Sequence, residues 1–308
     1  MSKQLTKLIL PTPIEDVIST DSSISVSIKR DELNHPLVQG NKWRKLKNNL
    51  KAYHEGSYEQ MISFGGVFSN HVYALAAATT ELHIPCTLFL RGYTLDEENP
   101  TVQFLRSCNV DIQLLDHTSY REKDSPVFLD HLNEKYPNVY IIPEGGTNAA
   151  GILGAEELGL EIIEQYTGYL PDYICVSAGT GGTAAGIIKA FYDTDVKVLV
   201  FSSLKGNFLK SDISRLSGSD NFTLMTDYHF NGYAKFNEEL ISFINQFKSQ
   251  NGISLEPIYT GKMMYGIRDL LRKNYFAAGS KVLAIHTGGL QGIKGYNYRY
   301  AEKFGEIK

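Results

Sequence analysis

The chain lacks the features that mark several large classes of protein. It has three cysteines in 308 residues, Cys86, Cys108 and Cys175, which are odd in number, far apart and without a Cys-x-x-Cys pair. Neither a disulfide framework nor a zinc cage is written there, and such cysteine usage points to the reducing cytoplasm. There is no run of about 18 apolar residues to span a membrane. The stretch from Met1 to Thr20 mixes polar with apolar residues and carries Glu15 and Asp16, unlike a signal sequence. Basic excess is also lacking, with 30 Lys and Arg against 34 Asp and Glu and a formal charge of −4. Without a basic stripe to neutralise phosphates, no nucleic acid is expected as a partner. The eight histidines are scattered without ligand spacing, so no metal is expected. His-Glu-x-x-His, Gly-x-Ser-x-Gly and a Walker loop are missing, the last because no lysine follows Gly146–Gly151.

What is present is an ordinary globular composition, 43% hydrophobic and 21% charged, long enough for two domains at ~150 residues each. Short β-branched runs at 24–28, 61–64, 86–90, 111–115, 139–142, 173–176, 196–201 and 282–286 read as strands. Helical patterns fill 43–54, 69–82, 99–107, 125–136, 183–192, 237–246 and 262–272. This alternation demands parallel strands with crossover helices, so the class is α/β. Four strands between Met61 and Ile142 can close a small doubly wound sheet of their own, and the remainder a larger one. With no long linker between them, the two are expected to pack tightly around a cleft, where ligands bind.

Three segments carry candidate chemistry. Ser177-Ala-Gly179-Thr180-Gly181-Gly182-Thr183 lies between a strand and a helix. Its amides, two threonine hydroxyls and helix N-terminus suit a phosphate, although a ligand-free glycine turn has the same pattern. A dinucleotide fingerprint fits loosely here, but the next strand runs into Ser202-Ser203-Leu204-Lys205 without the acidic residue that would hold a ribose. Second, Lys42 in Gly40-Asn41-Lys42-Trp43-Arg44-Lys45-Leu46 opens a helix. The dipole there favours the neutral amine a Schiff base needs; the competing reading is a surface basic helix with Arg44, Lys45, Lys47 and Lys51. Third, Ser69, Asn70 and His71 follow Gly65-Gly66 at another helix start, where they either bind a carboxylate or cofactor hydroxyl or simply cap the helix. Ser202-x-x-Lys205 with Ser219-Asp220-Asn221 mimics penicillin-recognising enzymes, but Ser202 ends a strand rather than opening a helix.

These segments occur in order with Glu256-Pro257-Ile258-Tyr259-Thr260-Gly261-Lys262 and His286-Thr287-Gly288-Gly289. Together they resemble the pyridoxal-phosphate enzymes of the 1-aminocyclopropane-1-carboxylate deaminase and D-cysteine desulfhydrase family, over roughly residues 10 to 300. The resemblance implies a tryptophan synthase β-like fold (fold type II), with two doubly wound open sheets and a cleft between. Residues 1–46 and 157–308 would form the larger, cofactor-binding domain and 47–156 the smaller. It implies a homodimer with pyridoxal 5′-phosphate as cofactor and a small amino acid as substrate. Lys42 would hold the cofactor as a Schiff base and Asn70 would bond its phenolic oxygen. Gly179, Thr180, Gly181, Gly182 and Thr183 would take the phosphate. Ser69 and His71, beside Asn70, would receive the substrate carboxylate; Tyr259 and Tyr233 would flank cofactor and substrate and assist proton transfer.

Ring-opening deaminases of this family carry Glu where Thr260 stands and Leu where Thr287 stands, and desulfhydrase-like members carry Thr at both. A hydroxyl keeps the neighbouring pyridine nitrogen protonated far less than a carboxylate does, which favours β-elimination of a good leaving group. The expected reaction is therefore loss of sulfide from D-cysteine, the released aminoacrylate hydrolysing to pyruvate and ammonia. The alternatives are the 1-aminocyclopropane-1-carboxylate deaminase, a non-catalytic phosphate-cofactor-binding protein and a dinucleotide oxidoreductase. The chain departs from the family at Gln39 (usually Gly), Phe68 (often Gln, and expected to line the substrate cleft) and Lys47 (usually Glu).

Overall fold

The structure, a computed structural model, describes residues 5–17 and 23–308. The ends of the stretch read above for a leader, 1–4 and 18–20, lie outside the described residues. Two sheets form. The larger runs β1(Ile14–Val17), β2(Ser25–Lys29), β10(Lys281–Ile285), β7(Tyr173–Ala178), β8(Lys197–Ser202), β9(Thr223–Met225), parallel except for β1 at the edge. The smaller is all parallel in the order β5(Asp111–Leu115), β4(Cys86–Arg91), β3(Gln60–Gly65), β6(Val139–Ile142).

Alternation along each strand feeds two cores per sheet. In the larger sheet Tyr173 and Cys175 face α9(Glu238–Asn251) and α10(Thr260–Arg272), while Ile174 and Val176 face α6(Ala149–Gln165), α7(Gly182–Ala190) and α8(Leu209–Ser217). In the smaller sheet Met61 and Leu88 face α1(Asn41–Glu55), α2(Asn70–Leu82) and α3(Pro100–Ser107). Ile62, Phe64 and Phe89 face α4(His117–Arg121) and α5(Pro126–Lys135). Helices on both faces are what a parallel sheet requires to bury its apolar strands. The last helix, α11(Gly292–Phe304), packs beside α3. Among the described residues no helix is long and apolar enough to cross a membrane.

Six elements escaped the sequence reading. The largest, α6, carries Gly151, Gly154 and Gly159, which depress helix propensity. Two of those glycines are where neighbours touch: a methyl at Gly154 would stand 1.9 Å from the Arg44 carbonyl oxygen, and one at Gly159 2.3 Å from Ala190. Gly292 and Gly295 hide α11 in the same way; β9 has three residues, and α4, α8 and edge strand β1 are short or polar. The proposed domain boundaries at 46/47 and 156/157 fall inside α1 and α6, continuous helices that pack on each other.

A buried ionic cluster fixes that pair to the large sheet. Arg44 of α1 bonds Asp31 at 2.6 Å and Glu161 of α6 at 2.7 Å, and Glu161 also takes the Lys29 ammonium of β2 at 2.6 Å. The basic segment 42–51 is thus not one solvated face: Arg44 and Lys45 are buried, Lys47 pairs with Glu157, and Lys51 is exposed. Gly154→Ala is expected to cost about 2–3 kcal/mol by forcing α1 off α6. Urea unfolding checks this, and an unchanged midpoint would show that the helices yield freely.

Candidate active site

Loops at the carboxyl ends of both sheets' strands converge, where open α/β sheets bind ligands. The large sheet supplies the loop after β7, the segment after β10 and the start of α10; the small sheet supplies the loop after β3 and the turn after β6.

Gly181 takes φ +82°, which lets the chain turn so that the first amides of α7 point together. The walls of this cradle are close. A methyl at Gly179 would meet the Tyr259 hydroxyl at 3.0 Å, and one at Gly182 would meet Thr147 Oγ1 at 2.9 Å and Lys45 Nζ at 3.0 Å. Thr180 and Thr147 share a hydroxyl bond of 2.6 Å. Asn41 joins the cradle to the lysine: its Nδ2 donates to Thr183 Oγ1 and its Oδ1 accepts from Lys42 Nζ, both at 2.8 Å.

Burial brings the Lys42 ammonium down to about 8, against the opposing pull of the Glu256 carboxylate. The neutral amine expected from the sequence is favoured, with desolvation rather than the helix dipole as the dominant cause. One turn on, Lys45 is buried, and its Nζ donates to Gly145 O at 2.6 Å and Thr147 Oγ1 at 3.0 Å. Among the described residues it forms no ion pair, and burial followed by the Lys42 charge pushes its pKa well down. A buried ammonium without an anion is costly, and a phosphate on the cradle beside it would supply the missing charge.

Ser69 caps α2, its Oγ accepting from Val72 N at 3.4 Å. His71 departs from the expectation that it receives a carboxylate. Ser63 Oγ donates to Ile142 O, so it accepts from His71 Nε2, and the imidazole Nδ1 is left as a buried lone pair without a partner. Burial, then Lys45 and Lys42, bring its pKa to about 3, so the ring is neutral and has no charge to offer a carboxylate. Asn70 instead reaches the far wall, where Gln291 Nε2 donates to its Oδ1 at 2.7 Å. Phe68 lays its ring on Gly295 of α11, under the Arg299 guanidinium.

Thr260 is fully buried, and Glu256 Oε1 takes both its N–H, at 2.6 Å, and its hydroxyl, at 3.1 Å. The Tyr259 and Tyr233 rings stand 6.2 Å apart, and burial with the neighbouring tyrosine holds the Tyr259 phenol well above its usual range. Lys262 fixes the Tyr233 loop by donating to His229 O and Gly232 O, each at 2.9 Å. Lys42, the 179–183 loop, Tyr259 and Tyr233 are thus joined by contacts, and Asn70 meets the segment after β10. The sequence motifs assign no part to Asn41, Lys45, Glu256, Lys262 or Gln291. Hydrogen-bonding side chains flanking the motif residues were the available signal.

A lysine amine tethered to an anion cradle between two doubly wound sheets defines an enzyme that works through a phosphorylated aldehyde. The chain belongs to the family described as pyridoxal-phosphate dependent enzyme, which it matches over residues 5–288. It is 32% identical to the bifunctional D-cysteine desulfhydrase/1-aminocyclopropane-1-carboxylate deaminase, mitochondrial, of Arabidopsis thaliana, over 92% of this chain and 77% of that one. It is 28% identical to the D-cysteine desulfhydrase of Klebsiella pneumoniae, over 93% and 94%. A crystal structure of an ACC deaminase homologue superposes with a TM-score of 0.81 at 29% identity, over 95% and 94%. The fold is type II of these enzymes, and the cofactor is pyridoxal phosphate. The buried Lys45 amine without an ion-pair partner, the glycine cradle and the desolvated Lys42 fit that group.

Lys45→Met removes the buried amine at similar volume. The apoprotein is expected to be as stable or more so, with cofactor affinity down about tenfold or more; calorimetry of both forms checks it, and normal affinity would refute the pairing. Covalent uptake of the cofactor needs neutral Lys42, which is protonated below about 8. Uptake by apoprotein should therefore quicken about tenfold per pH unit below that value and level off above it. A rate still climbing steeply above about pH 9.5 would mark an ordinary lysine.

Proposed function

We propose that the chain is a lyase that eliminates the β-substituent of D-cysteine or a related β-substituted amino acid. With D-cysteine and one water, the products are pyruvate, ammonia and sulfide. The observation that carries this reading is the run from Lys42 through Asn41 to Thr183, which ties an amine of lowered pKa to the phosphate cradle. Threonine at 260 and 287 and the names of the relatives support the desulfhydrase branch.

Pyridoxal phosphate, when bound, supplies the electron sink for a carbanion at the substrate's α-carbon. Lys42 would hold it covalently, the 179–183 loop with Lys45 would take its phosphate, Asn70 would bond its phenolic oxygen, and Thr260 would face its ring nitrogen. Ser69 and the first amides of α2 orient the substrate carboxylate, with His71 bracing the loop from behind. Lys42 Nζ, neutral in part near pH 7, takes the α-proton. Tyr259 keeps its proton because its pKa is raised, which suits it to protonate the leaving sulfur, and Tyr233 closes the cleft beside it.

The second reading is ring opening of 1-aminocyclopropane-1-carboxylate. One observation favours it: the Glu256 carboxylate stands directly behind the Thr260 hydroxyl, so a negative charge lies one bond further back than in the deaminases. We further propose two lobes, 1–46 with 157–308 and 47–156, in a cytoplasmic homodimer; the free thiols of Cys86, Cys108 and Cys175 suit a reducing compartment. The partner is a small amino acid, without nucleic acid or membrane.

The purified protein with pyridoxal phosphate should show a visible band that borohydride removes and that changes with D-cysteine. Sulfide and pyruvate should then appear, and Lys42→Ala should lose the band and turnover together. Release of 2-oxobutanoate and ammonia from 1-aminocyclopropane-1-carboxylate, without sulfide from D-cysteine, would transfer the protein to the second reading.

A further inference from the structure

Asn70 and Gln291 face each other across the cleft. Asn70 opens α2 beyond strand β3 of the small sheet, and Gln291 precedes α11 beyond strand β10 of the large one. The bond from Gln291 Nε2 to Asn70 Oδ1, at 2.7 Å, is the one hydrogen bond to the Asn70 side chain among the described residues. A carboxamide offers an acceptor on one side and a two-proton donor on the other, and the two sides are nearly equal in shape. Packing alone therefore does not choose between them. With Oδ1 committed to Gln291, the group left for the cleft is the Nδ2 donor. That donor lies over Gly289, where a methyl would stand 2.4 Å from it.

Gln291 is itself held in place. The adjoining Leu290 N–H donates to Gln39 Oε1 at 3.1 Å, and Gln39 Nε2 donates to Pro36 O at 3.2 Å. Gly292 N closes a turn onto Gly289 O at 2.9 Å. Gln39 thus fastens the segment that presents Gln291.

We infer that Gln291 is a positioning residue: it selects the donor face of Asn70 for the cofactor's phenolic oxygen. Because the bond crosses the cleft, it also couples that choice to the approach of the two walls. The inference rests on the role given to Asn70 under the proposed function. A reversed amide would set oxygen against oxygen and repel the cofactor.

The test uses the cofactor-loaded protein and compares Gln291→Leu, Gln291→Glu, Asn70→Ala and the double variant Asn70→Ala/Gln291→Leu. Two quantities are read, the dissociation constant for pyridoxal phosphate and the pH midpoint of the visible band. Loss of one hydrogen bond should weaken cofactor binding about three- to tenfold in Gln291→Leu. A phenolic oxygen without its donor holds the neighbouring proton more firmly, so the midpoint should rise by roughly half a pH unit or more. Gln291→Glu accepts but does not donate; it should turn the Asn70 amide over and raise the midpoint further. If Gln291 acts through Asn70, the double variant matches Asn70→Ala alone. Should Gln291→Leu not fold, Gln291→Met takes its place.

An effect of Asn70→Ala with none from either Gln291 variant, or effects that simply add in the double variant, would overturn the inference. If Asn70→Ala changes neither quantity, the role of Asn70 falls first and takes this inference with it. That outcome is distinct, because the band and its lysine linkage would still be present.

Discussion

The contact between α1 and α6 sets the position of almost everything else. It is a contact between backbones, possible because Gly154 lets the Arg44 carbonyl approach to a distance no side chain allows. The Arg44, Asp31, Glu161 and Lys29 charges then lock the pair to β2. A buried network of this kind contributes little net stability compared with apolar packing, but it tolerates one arrangement only. That arrangement fixes the first turn of α1, and with it the reach of Asn41 and Lys42 toward the anion cradle on α7.

The same scaffold explains the charge pattern of the cleft. Two lysines one turn apart are desolvated together, and neither has a carboxylate beside it; the nearest acid acting on Lys42 is Glu256. Glu256 is itself spent on the amides of 258–260 and the Thr260 hydroxyl. The imidazole of His71 responds by staying neutral. The wall thus holds two desolvated amines without internal counter-charges, and an anionic ligand rather than an internal acid would favour their charged forms.

Much of this was legible in the sequence, because the motifs are backbone devices encoded in consecutive residues. Gly179–Thr183 between a strand and a helix announced a cradle, and Ser69 announced a helix start. The strands of the small sheet declared themselves by β-branched runs. What stayed hidden depends on residues distant in the chain. Glycines in α6 count against a helix until Arg44 and Ala190 are seen to need the space. Lys45 reads as part of a basic surface until Gly145 and Thr147 close over it, and His71 reads as a carboxylate ligand until Ser63 claims its one N–H. The Gln291–Asn70 bond spans 221 residues of sequence, so nothing local pairs the two side chains.

The buried Lys45 carries a consequence for the protein's life cycle. A fold that buries Lys45 without a counter-charge is completed by its anionic ligand, so folding and vitamin supply become thermodynamically linked. Any ligand bound only by the native state adds RT ln(1 + [L]/Kd), about 2.7 kcal/mol at a hundredfold excess over Kd. Chains made when the vitamin is scarce populate unfolded forms more often and are exposed to proteolysis. The steady-state amount of this enzyme would then follow the availability of its cofactor without any dedicated regulator.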